Sequence, residues 1–239
     1  MSLRFGTDGV RGVANTELTP TFALALGAAV VDAFDTTQVV IGVDTRRSGS
    51  MLAAAVSAGV ASAGADAIEL EVIPTPAVAR EARVRNCPGV MVSASHNAFQ
   101  DNGLKVFGPG GQKLSDAEQS RIESTIMAIL TTGRGVRVVG PNETAQEIPP
   151  PTGAEVGRIE WEPQVAEDYV AELVQAGGGD GALDGMVAVL DAAHGAGSAI
   201  GPRALRRLGV ELRVIGDLPN GTNINDGVGS TALGPLREA

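Results

Sequence analysis

Residues 88–107 read PGVMVSASHNAFQDNGLKVF, an apolar segment that changes abruptly into a polar loop. Residues 90–92 have no polar interruption, which predicts a strand buried on both faces of a parallel sheet. Ser93, Ser95, His96 and Asn97 follow directly. Ligands of open α/β sheets bind where strands end in such loops. A reactive loop is therefore the first hypothesis, and an ordinary polar turn leaving a strand is the alternative.

The segments before this stretch alternate between helix and strand patterns. A helix is predicted over residues 21–34, a strand over 39–43, a helix over 49–64 and a strand over 67–73. Thr19 and Pro20 provide the N-cap and the first turn of the first helix. This alternation predicts an α/β fold in which a largely parallel sheet lies between helices.

The sequence makes two predictions about the residues just after the polar loop. Asn102 and Gly103 form a dipeptide typical of a tight turn. Lys105 lies between Leu104 and Val106, so its side chain is expected on the opposite face of a short strand. That face is either solvent or the site.

A second α/β region is predicted after residue 150. Residues 141–153 contain three consecutive prolines and no periodic apolar face, which indicates a hairpin tip or an interdomain connection. We therefore expect one domain over residues 1–150 and a second over residues 151–239.

The pattern of the second region is strand, helix, strand. We expect a buried strand over residues 186–190, a helix over 202–208 and a strand over 210–215, which together form a βαβ unit. Residues 217–231, rich in Asn and Gly, are long enough to suggest a functional or interdomain loop.

Arginines near two loops are candidates for anion binding. Arg11 lies in the glycine-rich segment 4–15, and its planar fork suits a phosphate or carboxylate. Arg46 and Arg47 follow the strand over residues 39–43 and precede a helix, where an anion could meet free backbone N–H groups. Solvated surface arginines are the alternative at both places.

Composition excludes several classes of protein. The 28 acidic residues against 18 basic ones give a net charge of −10, which disfavours a nucleic-acid surface. No apolar run is long enough to span a membrane, and the amino terminus lacks the apolar core of a signal peptide. The single cysteine, Cys87, excludes an internal disulfide and suits the cytoplasm. We expect a cytoplasmic protein with no membrane or nucleic-acid partner.

Five motifs together resemble a known family. FGTDGVRG, GVDTRRSG, PTPAV, SASHNAFQDNGLKVFGPGGQKLS and PNGTNINDGVGST occur in the order found in phosphoglucosamine mutases of the α-D-phosphohexomutase superfamily. The resemblance covers essentially the whole chain. It implies an isomerase that interconverts glucosamine 6-phosphate and glucosamine 1-phosphate for UDP-N-acetylglucosamine synthesis, with a small phosphosugar as its partner.

The resemblance also assigns roles to particular residues. Ser95 matches the family's phosphoserine, which exchanges its phosphoryl group with a hexosamine 1,6-bisphosphate intermediate. Arg11 and Lys105 match basic positions of the family's site, with Lys105 a candidate proton carrier. Arg46, His96 and Asn97 are candidate phosphate or substrate ligands. In extended backbone the side chains of Ser95 and His96 would point apart, so His96 is expected to donate a hydrogen bond and not to act as the base.

Some family features are absent from the sequence. The family holds Mg²⁺ with the serine phosphate and three aspartates of a DGDxDR loop, and this chain contains no such motif. Ala98 and Ala232 replace residues that are commonly Pro and His. We therefore expect an amino-terminal fragment that turns over no substrate by itself. The alternatives are a phosphomannomutase or phosphoglucomutase, and a non-catalytic phosphosugar-binding module.

Overall fold

The computed structural model describes residues 9–133, 136–139 and 144–239. The helices are α1 (Pro20–Phe34), α2 (Gly49–Ser62), α3 (Thr75–Arg85), α4 (Asp116–Thr132), α5 (Gln164–Ala176), α6 (Gly197–Arg207) and α7 (Gly234–Glu238). The strands are β1 (Val10–Val13), β2 (Gln38–Val43), β3 (Asp66–Val72), β4 (Gly89–Val92), β5 (Asp101–Phe107), β6 (Val136–Val139), β7 (Thr144–Glu147), β8 (Ile159–Trp161), β9 (Val187–Asp191) and β10 (Glu211–Ile215). The residues of the amino-terminal glycine-rich segment before Gly9 lie outside the described part.

A six-stranded mixed sheet forms the centre of the molecule. Its strand order is β1-β5-β4-β2-β3-β8. The pairs β4-β2, β2-β3 and β3-β8 are parallel, whereas β5 runs antiparallel to both β1 and β4. Because β4 and β5 are antiparallel neighbours, the polar loop at the end of β4 connects two adjacent strands of the sheet. The predicted α/β class is confirmed.

The two faces of this sheet bury separate apolar clusters. Side chains of α1, α2 and α4 pack on one face with Val90, Val92, Leu104 and Val106. Side chains of α3, α5 and α6 pack on the other face, together with Met91. Strand β4 is buried along its whole length, as its uninterrupted apolar run predicts.

The predicted turn at Asn102 and Gly103 is wrong. Both residues lie inside β5, paired with β1, and Asn102 is completely buried. The amide of Asn102 donates to Ser48 Oγ at 2.9 Å, and its Oδ1 accepts the backbone N–H of Gly103 at 2.8 Å. A dipeptide that favours a turn is held extended here because pairing and side-chain hydrogen bonds satisfy it.

The second region contains the expected βαβ unit, with two differences. Strands β9 and β10 pair in parallel, but β9 is not buried on both faces, since Val187 is 72% exposed. An apolar run in the sequence does not show whether one face or both faces of the strand will be buried. Helix α6 begins at Gly197, five residues before Pro202, which lies inside the helix. Burial of Ile200 in the core holds the earlier turn in helical form.

The segment between the two regions is only partly described. Strands β6 and β7 pair as an antiparallel hairpin, and residues 140–143 lie outside the described part. Strand β8 joins the central sheet through β3, so that sheet continues past residue 150. The domain division at that residue stays a prediction. Among the described helices, none has the length and apolar character needed to cross a membrane.

Candidate active site

Ser95 lies in the loop formed by residues 93–100, called here the Ser95 loop, which joins β4 to β5. Its backbone is in the left-handed region, with φ +58°. The N–H of Ser95 donates to Ser93 Oγ at 3.1 Å, and the neighbouring Ala94 is completely buried. These contacts hold the backbone of the loop in place, while Ser95 itself is exposed to solvent.

The sheet register brings basic side chains next to Ser95. Arg11 of β1 is paired with Gly103 of β5, and Met91 of β4 is paired with Lys105 of β5. Because paired residues share a face of the sheet, as do residues two apart, Arg11, Met91 and Lys105 lie on one face. A Cβ on Gly103 would lie 3.0 Å from Cγ of Arg11. The missing side chain at this position leaves room for the arginine.

These residues surround a cavity of about 320 Å³. Its lining consists of Arg11, Thr75, Met91, Ser93, Ser95, His96 and Lys105. The structure therefore brings together four of the predicted site residues: Ser95, Arg11, Lys105 and His96. A hydroxyl beside a guanidinium and an ammonium group can accept a phosphoryl group whose charge those cations stabilise.

His96 and Ser95 do not diverge as extended backbone would require. Nδ1 of His96 is 3.5 Å from Oγ of Ser95. The left-handed backbone at Ser95 turns the two side chains toward the same cavity, so the expectation based on an extended segment is wrong. Whether His96 donates to a phosphate stays a prediction.

Arg46 lies beneath the Ser95 loop and not in the cavity. Its side chain is 0% exposed and forms an ion pair with Asp44, whose side chain is 3% exposed. Its Nη2 donates to the carbonyl oxygens of Ser95, at 3.2 Å, and Asn97, at 2.7 Å. This geometry favours support of the loop, and direct phosphate binding by Arg46 stays an untested prediction.

Asn97 also contributes to the loop itself. Its side-chain amide donates to Asp101 Oδ2 at 2.8 Å, and its backbone N–H donates to the carbonyl of Ala94 at 3.2 Å. Contact with a phosphate by Asn97 remains a prediction.

Two residues with no predicted site role complete the support of the loop. The carboxylate of Asp44 accepts from Ser93 Oγ at 2.6 Å as well as from Arg46. The amide of Asn225 donates to the carbonyl oxygens of Ser95 and Asn97. The position of Asp44 at the carboxyl end of β2, and the unusual length of the loop around Asn225, were the signals in the sequence.

A second cavity, of about 260 Å³, is lined by residues of both regions and adjoins the first cavity. Residues 195–197 at the start of α6 line it together with Ile224 and Asn225. It shares Thr75, Met91, Ser93 and Ser95 with the first cavity. Ser95 is thus accessible from the space between the two regions.

The described residues do not fit a metal site by themselves. They contain no group of three or more His, Cys, Asp or Glu side chains that could hold an ion. Asp44, the carboxylate beneath the Ser95 loop, is already paired with Arg46. A hydroxyl or phosphate at Ser95 would supply one ligand of the several that Mg²⁺ requires.

The sequence of this chain is similar to those of known phosphoglucosamine mutases. The phosphoglucosamine mutase of Mycobacterium ulcerans (strain Agy99) is 46% identical over 246 residues, which covers 100% of this chain and 51% of the relative. The chain therefore spans about half the length of the curated relatives that it matches.

Solved structures have the same fold. A protein of Thermus thermophilus, provisionally named a phosphomannomutase, superposes with a TM-score of 0.74 at 26% identity, covering 99% of this chain and 51% of that one. The N-acetylphosphoglucosamine mutase of Aspergillus fumigatus in complex with glucose 1,6-bisphosphate has a TM-score of 0.54 at 15% identity, covering 99% and 45%.

A family model supplies the assignment. The model described as "Phosphoglucomutase/phosphomannomutase, alpha/beta/alpha domain I" matches residues 2–132. This match includes β1, the Ser95 loop and β5, which carry the residues around the first cavity. Since the match extends over more than half of the sequence, the chain belongs to the phosphoglucomutase/phosphomannomutase family.

Proposed function

We propose that this chain is the amino-terminal half of a phosphoglucosamine mutase, which interconverts glucosamine 6-phosphate and glucosamine 1-phosphate. The relative with 46% identity over the whole chain carries that name. The observation on which the proposal rests is Ser95, exposed on a left-handed turn and facing a cavity lined by Arg11 and Lys105.

The chemistry begins with transfer of one phosphoryl group. An O–P bond forms at Oγ of Ser95 while the O–P bond to the sugar of a 1,6-bisphosphate breaks. The proton lost by Oγ ends on the sugar oxygen that leaves. Phosphorylated Ser95 then gives its phosphoryl group to the C1 hydroxyl of glucosamine 6-phosphate, whose proton passes to Oγ, and the 1,6-bisphosphate forms. After this intermediate turns around, Oγ takes the phosphoryl group at C6, which restores the phosphoserine and releases glucosamine 1-phosphate.

The cations of the first cavity suit this transfer. Charge spreads over the oxygens of a transferring phosphoryl group, and fixed positive groups stabilise it. Arg11 offers a planar fork for two oxygens. Lys105 lies on the same face of β5 and would act as a proton carrier, with its ammonium group also 5.5 Å from the ring centroid of Phe107. His96 would donate to a phosphate oxygen.

The remaining components of the proposal come from the family and not from contacts. The Aspergillus protein was solved with glucose 1,6-bisphosphate, and we extend a hexosamine 1,6-bisphosphate intermediate to this chain. We also propose Mg²⁺ as a cofactor, with the phosphate of phosphorylated Ser95 as one ligand. Because the described residues hold no carboxylate cluster, its aspartate ligands would belong to the half of the relatives that this chain does not span. A cytoplasmic location completes the proposal.

The first test is phosphorylation of the chain. The purified 239-residue protein is incubated with glucose 1,6-bisphosphate and Mg²⁺ and its intact mass is measured. We expect one added phosphoryl group, absent in Ser95→Ala and present in Ser120→Ala, which removes another exposed serine on α4. Labelling that persists in Ser95→Ala, or a parent chain without label, would contradict the proposal.

The choice of sugar has a competing candidate. The Thermus structure carries a phosphomannomutase name, which favours mannose 6-phosphate as the alternative substrate. The phosphorylated chain is mixed with glucosamine 6-phosphate, glucose 6-phosphate or mannose 6-phosphate, and loss of the added mass is timed. Fastest discharge by the glucosamine compound supports the mutase proposed here, and fastest discharge by either other sugar assigns the alternative.

The absence of a carboxylate cluster among the described residues favours a second kind of candidate, a non-catalytic phosphosugar-binding module. Such a module would bind glucosamine 6-phosphate in calorimetry with equal affinity in the parent and in Ser95→Ala, and it would acquire no phosphoryl group.

A further inference from the structure

Two carbonyl oxygens of the Ser95 loop converge on the same pair of donors. Nη2 of Arg46 lies 3.2 Å from the carbonyl of Ser95 and 2.7 Å from that of Asn97. Nδ2 of Asn225 lies 2.9 Å and 3.0 Å from the same two atoms. We call these two donor groups around the two carbonyls the carbonyl clasp.

The chemistry of an asparagine amide suits this position. Its nitrogen carries two hydrogens, one for each carbonyl, and no charge. A cationic side chain at this position would be repelled by the guanidinium of Arg46. The amide thus completes the hydrogen bonding of both carbonyls without adding positive charge under the loop.

Asn225 reaches the clasp from the second region, 130 residues along the chain from Ser95. Its own backbone is fixed: φ is +60°, its N–H donates to the carbonyl of Ala193 at 2.9 Å, and the preceding Ile224 is buried. The loop around it is held to the first region where the N–H of Arg47 donates to the carbonyl of Gly221 at 2.9 Å.

The clasp acts on the residue that carries the reactive hydroxyl. A left-handed backbone is unfavourable for serine because it brings Cβ too close to the following carbonyl oxygen, so Ser95 keeps it only if surrounding groups hold it. The N–H of Ser95 is held by Ser93 Oγ, and its carbonyl is held by the clasp. Both peptide groups that flank the Cα of Ser95 are therefore fixed.

We propose that Asn225 is a positioning residue: its amide, donated from the second region to the carbonyls of Ser95 and Asn97, holds the Ser95 hydroxyl in the geometry needed for phosphoryl transfer. The inference rests on the proposed role of Ser95. It adds a coupling between the two regions, because the orientation of the reactive serine depends on a side chain of the loop over residues 217–231.

The test replaces Asn225 without straining the backbone. Asn225→Gly removes both donors, and glycine tolerates the positive φ. Asn220→Ala is the matched control, since the side chain of Asn220 accepts only from Thr222 in the hydrogen bonds described for it, within the same loop. The rate of Ser95 phosphorylation by glucose 1,6-bisphosphate is measured by intact mass over a range of bisphosphate concentrations, and melting temperatures are recorded in parallel.

Loss of positioning has a specific signature. We expect the saturating rate constant to fall roughly tenfold in Asn225→Gly, since misplacement by about 1 Å can cost about a hundredfold. The bisphosphate concentration at half-maximal rate should change less than about twofold, and Asn220→Ala should match the parent. An unchanged saturating rate in Asn225→Gly, or an equal loss in Asn220→Ala, would overturn the proposal.

A second measurement does not depend on phosphorylation. Amide hydrogen exchange of the peptide that contains residues 93–101 should accelerate in Asn225→Gly and remain unchanged in Asn220→Ala. A parent chain that takes no phosphate would reject the proposed function, and the exchange result then decides the clasp alone. Equal exchange in all three proteins would show that Asn225 does not hold the loop.

Discussion

Arg46 shows how a buried charge can be used as a support. Its guanidinium is fully buried, paired with Asp44, and donates to two carbonyls of the Ser95 loop. Removing two charges from water costs several kcal/mol, so such a pair adds little net stability compared with an apolar pair of the same shape. The guanidinium instead fixes the orientation of the groups around it, because its planar fork can bond a carboxylate and two carbonyls at once.

Removing one partner of the buried pair destabilises a protein far more than replacing both partners with apolar residues. Arg46→Met leaves Asp44 buried without its counter-charge, and we expect the free energy of unfolding to fall by about 3–5 kcal/mol. Arg47→Met, at the exposed neighbouring position, should change it by less than about 0.5 kcal/mol. Denaturant unfolding of the three proteins measures both values. Equal midpoints for the two variants would show that the buried pair is not needed for the fold.

The different roles of these adjacent arginines could not be predicted from the sequence. Arg46 and Arg47 follow the same strand in the same loop, and the pattern alone left their roles open. Which one is buried depends on β4 and β5, whose loop lies over Arg46 and not over Arg47. That contact joins residues about fifty positions apart, so no local pattern contains it.

At the scale of elements, β5 fixes the space around the site. It lies between β1 and β4, and there is no room for a side chain at Gly103. A Cβ at this position would lie 2.6 Å from the carbonyl oxygen of Ser93 and 3.0 Å from that of Val10. Both are backbone atoms, one at the start of the Ser95 loop and one in β1, so neither can move without disturbing the loop or the sheet.

Gly103→Ala should therefore destabilise the protein by about 1–3 kcal/mol through overpacking. Gly234→Ala is the matched control, because a Cβ there meets no atom within 4 Å and alanine is favourable in a helix. Thermal unfolding of both variants against the parent gives the comparison. A Gly103→Ala protein as stable as the parent would mean that β5 can shift away from Ser93.

The elements themselves were largely predictable because their signals are local. Thr19 forms the predicted N-cap, since its Oγ1 accepts from the N–H of Phe22 at 3.2 Å. The errors occurred where tertiary contacts override local preference. Pairing with β1 extends Asn102 and Gly103, and α6 begins before Pro202, where Ile200 is buried in the core.

The site was predictable in part for the same reason. Ser95, Arg11 and Lys105 were found from local motifs and from the resemblance, and the pairing of β5 with β1 and β4 brings them to one cavity. The contribution of Asn225 could not be predicted in this way, because it depends on how the loop over residues 217–231 is placed against the first region. The sequence indicated only that this loop was unusually long.

At the scale of the whole molecule, the two regions share a core. One apolar cluster contains Val40 and Met91 of the central sheet together with Tyr169 and Val170 of α5. Cys87, just before β4, is a member of this cluster and is 1% exposed. Its thiol should therefore react only when the contact between the regions opens or the protein unfolds.

Burial also raises the pKa of Cys87, from 9.0 to about 11. The unfolded chain loses this proton near its ordinary pKa while the folded protein keeps it. The resulting stabilisation is fully present below about pH 9 and is lost as the pH rises through about 11. Cys87→Ala removes the titrating group and leaves a small side chain in the cluster.

We expect the stability difference between the parent and Cys87→Ala to shrink as the pH is raised from about 8 to about 11. Other groups that titrate in this range contribute equally to both proteins and cancel in the difference. Denaturant unfolding at a series of pH values measures it. Because the chain has a single cysteine, thiol labelling of the parent at about pH 8 gives an independent measure, and it should proceed far more slowly than in denaturant. A difference that stays constant with pH, or labelling at the rate of the unfolded chain, would place Cys87 outside the shared core and leave the two regions without the common packing described here.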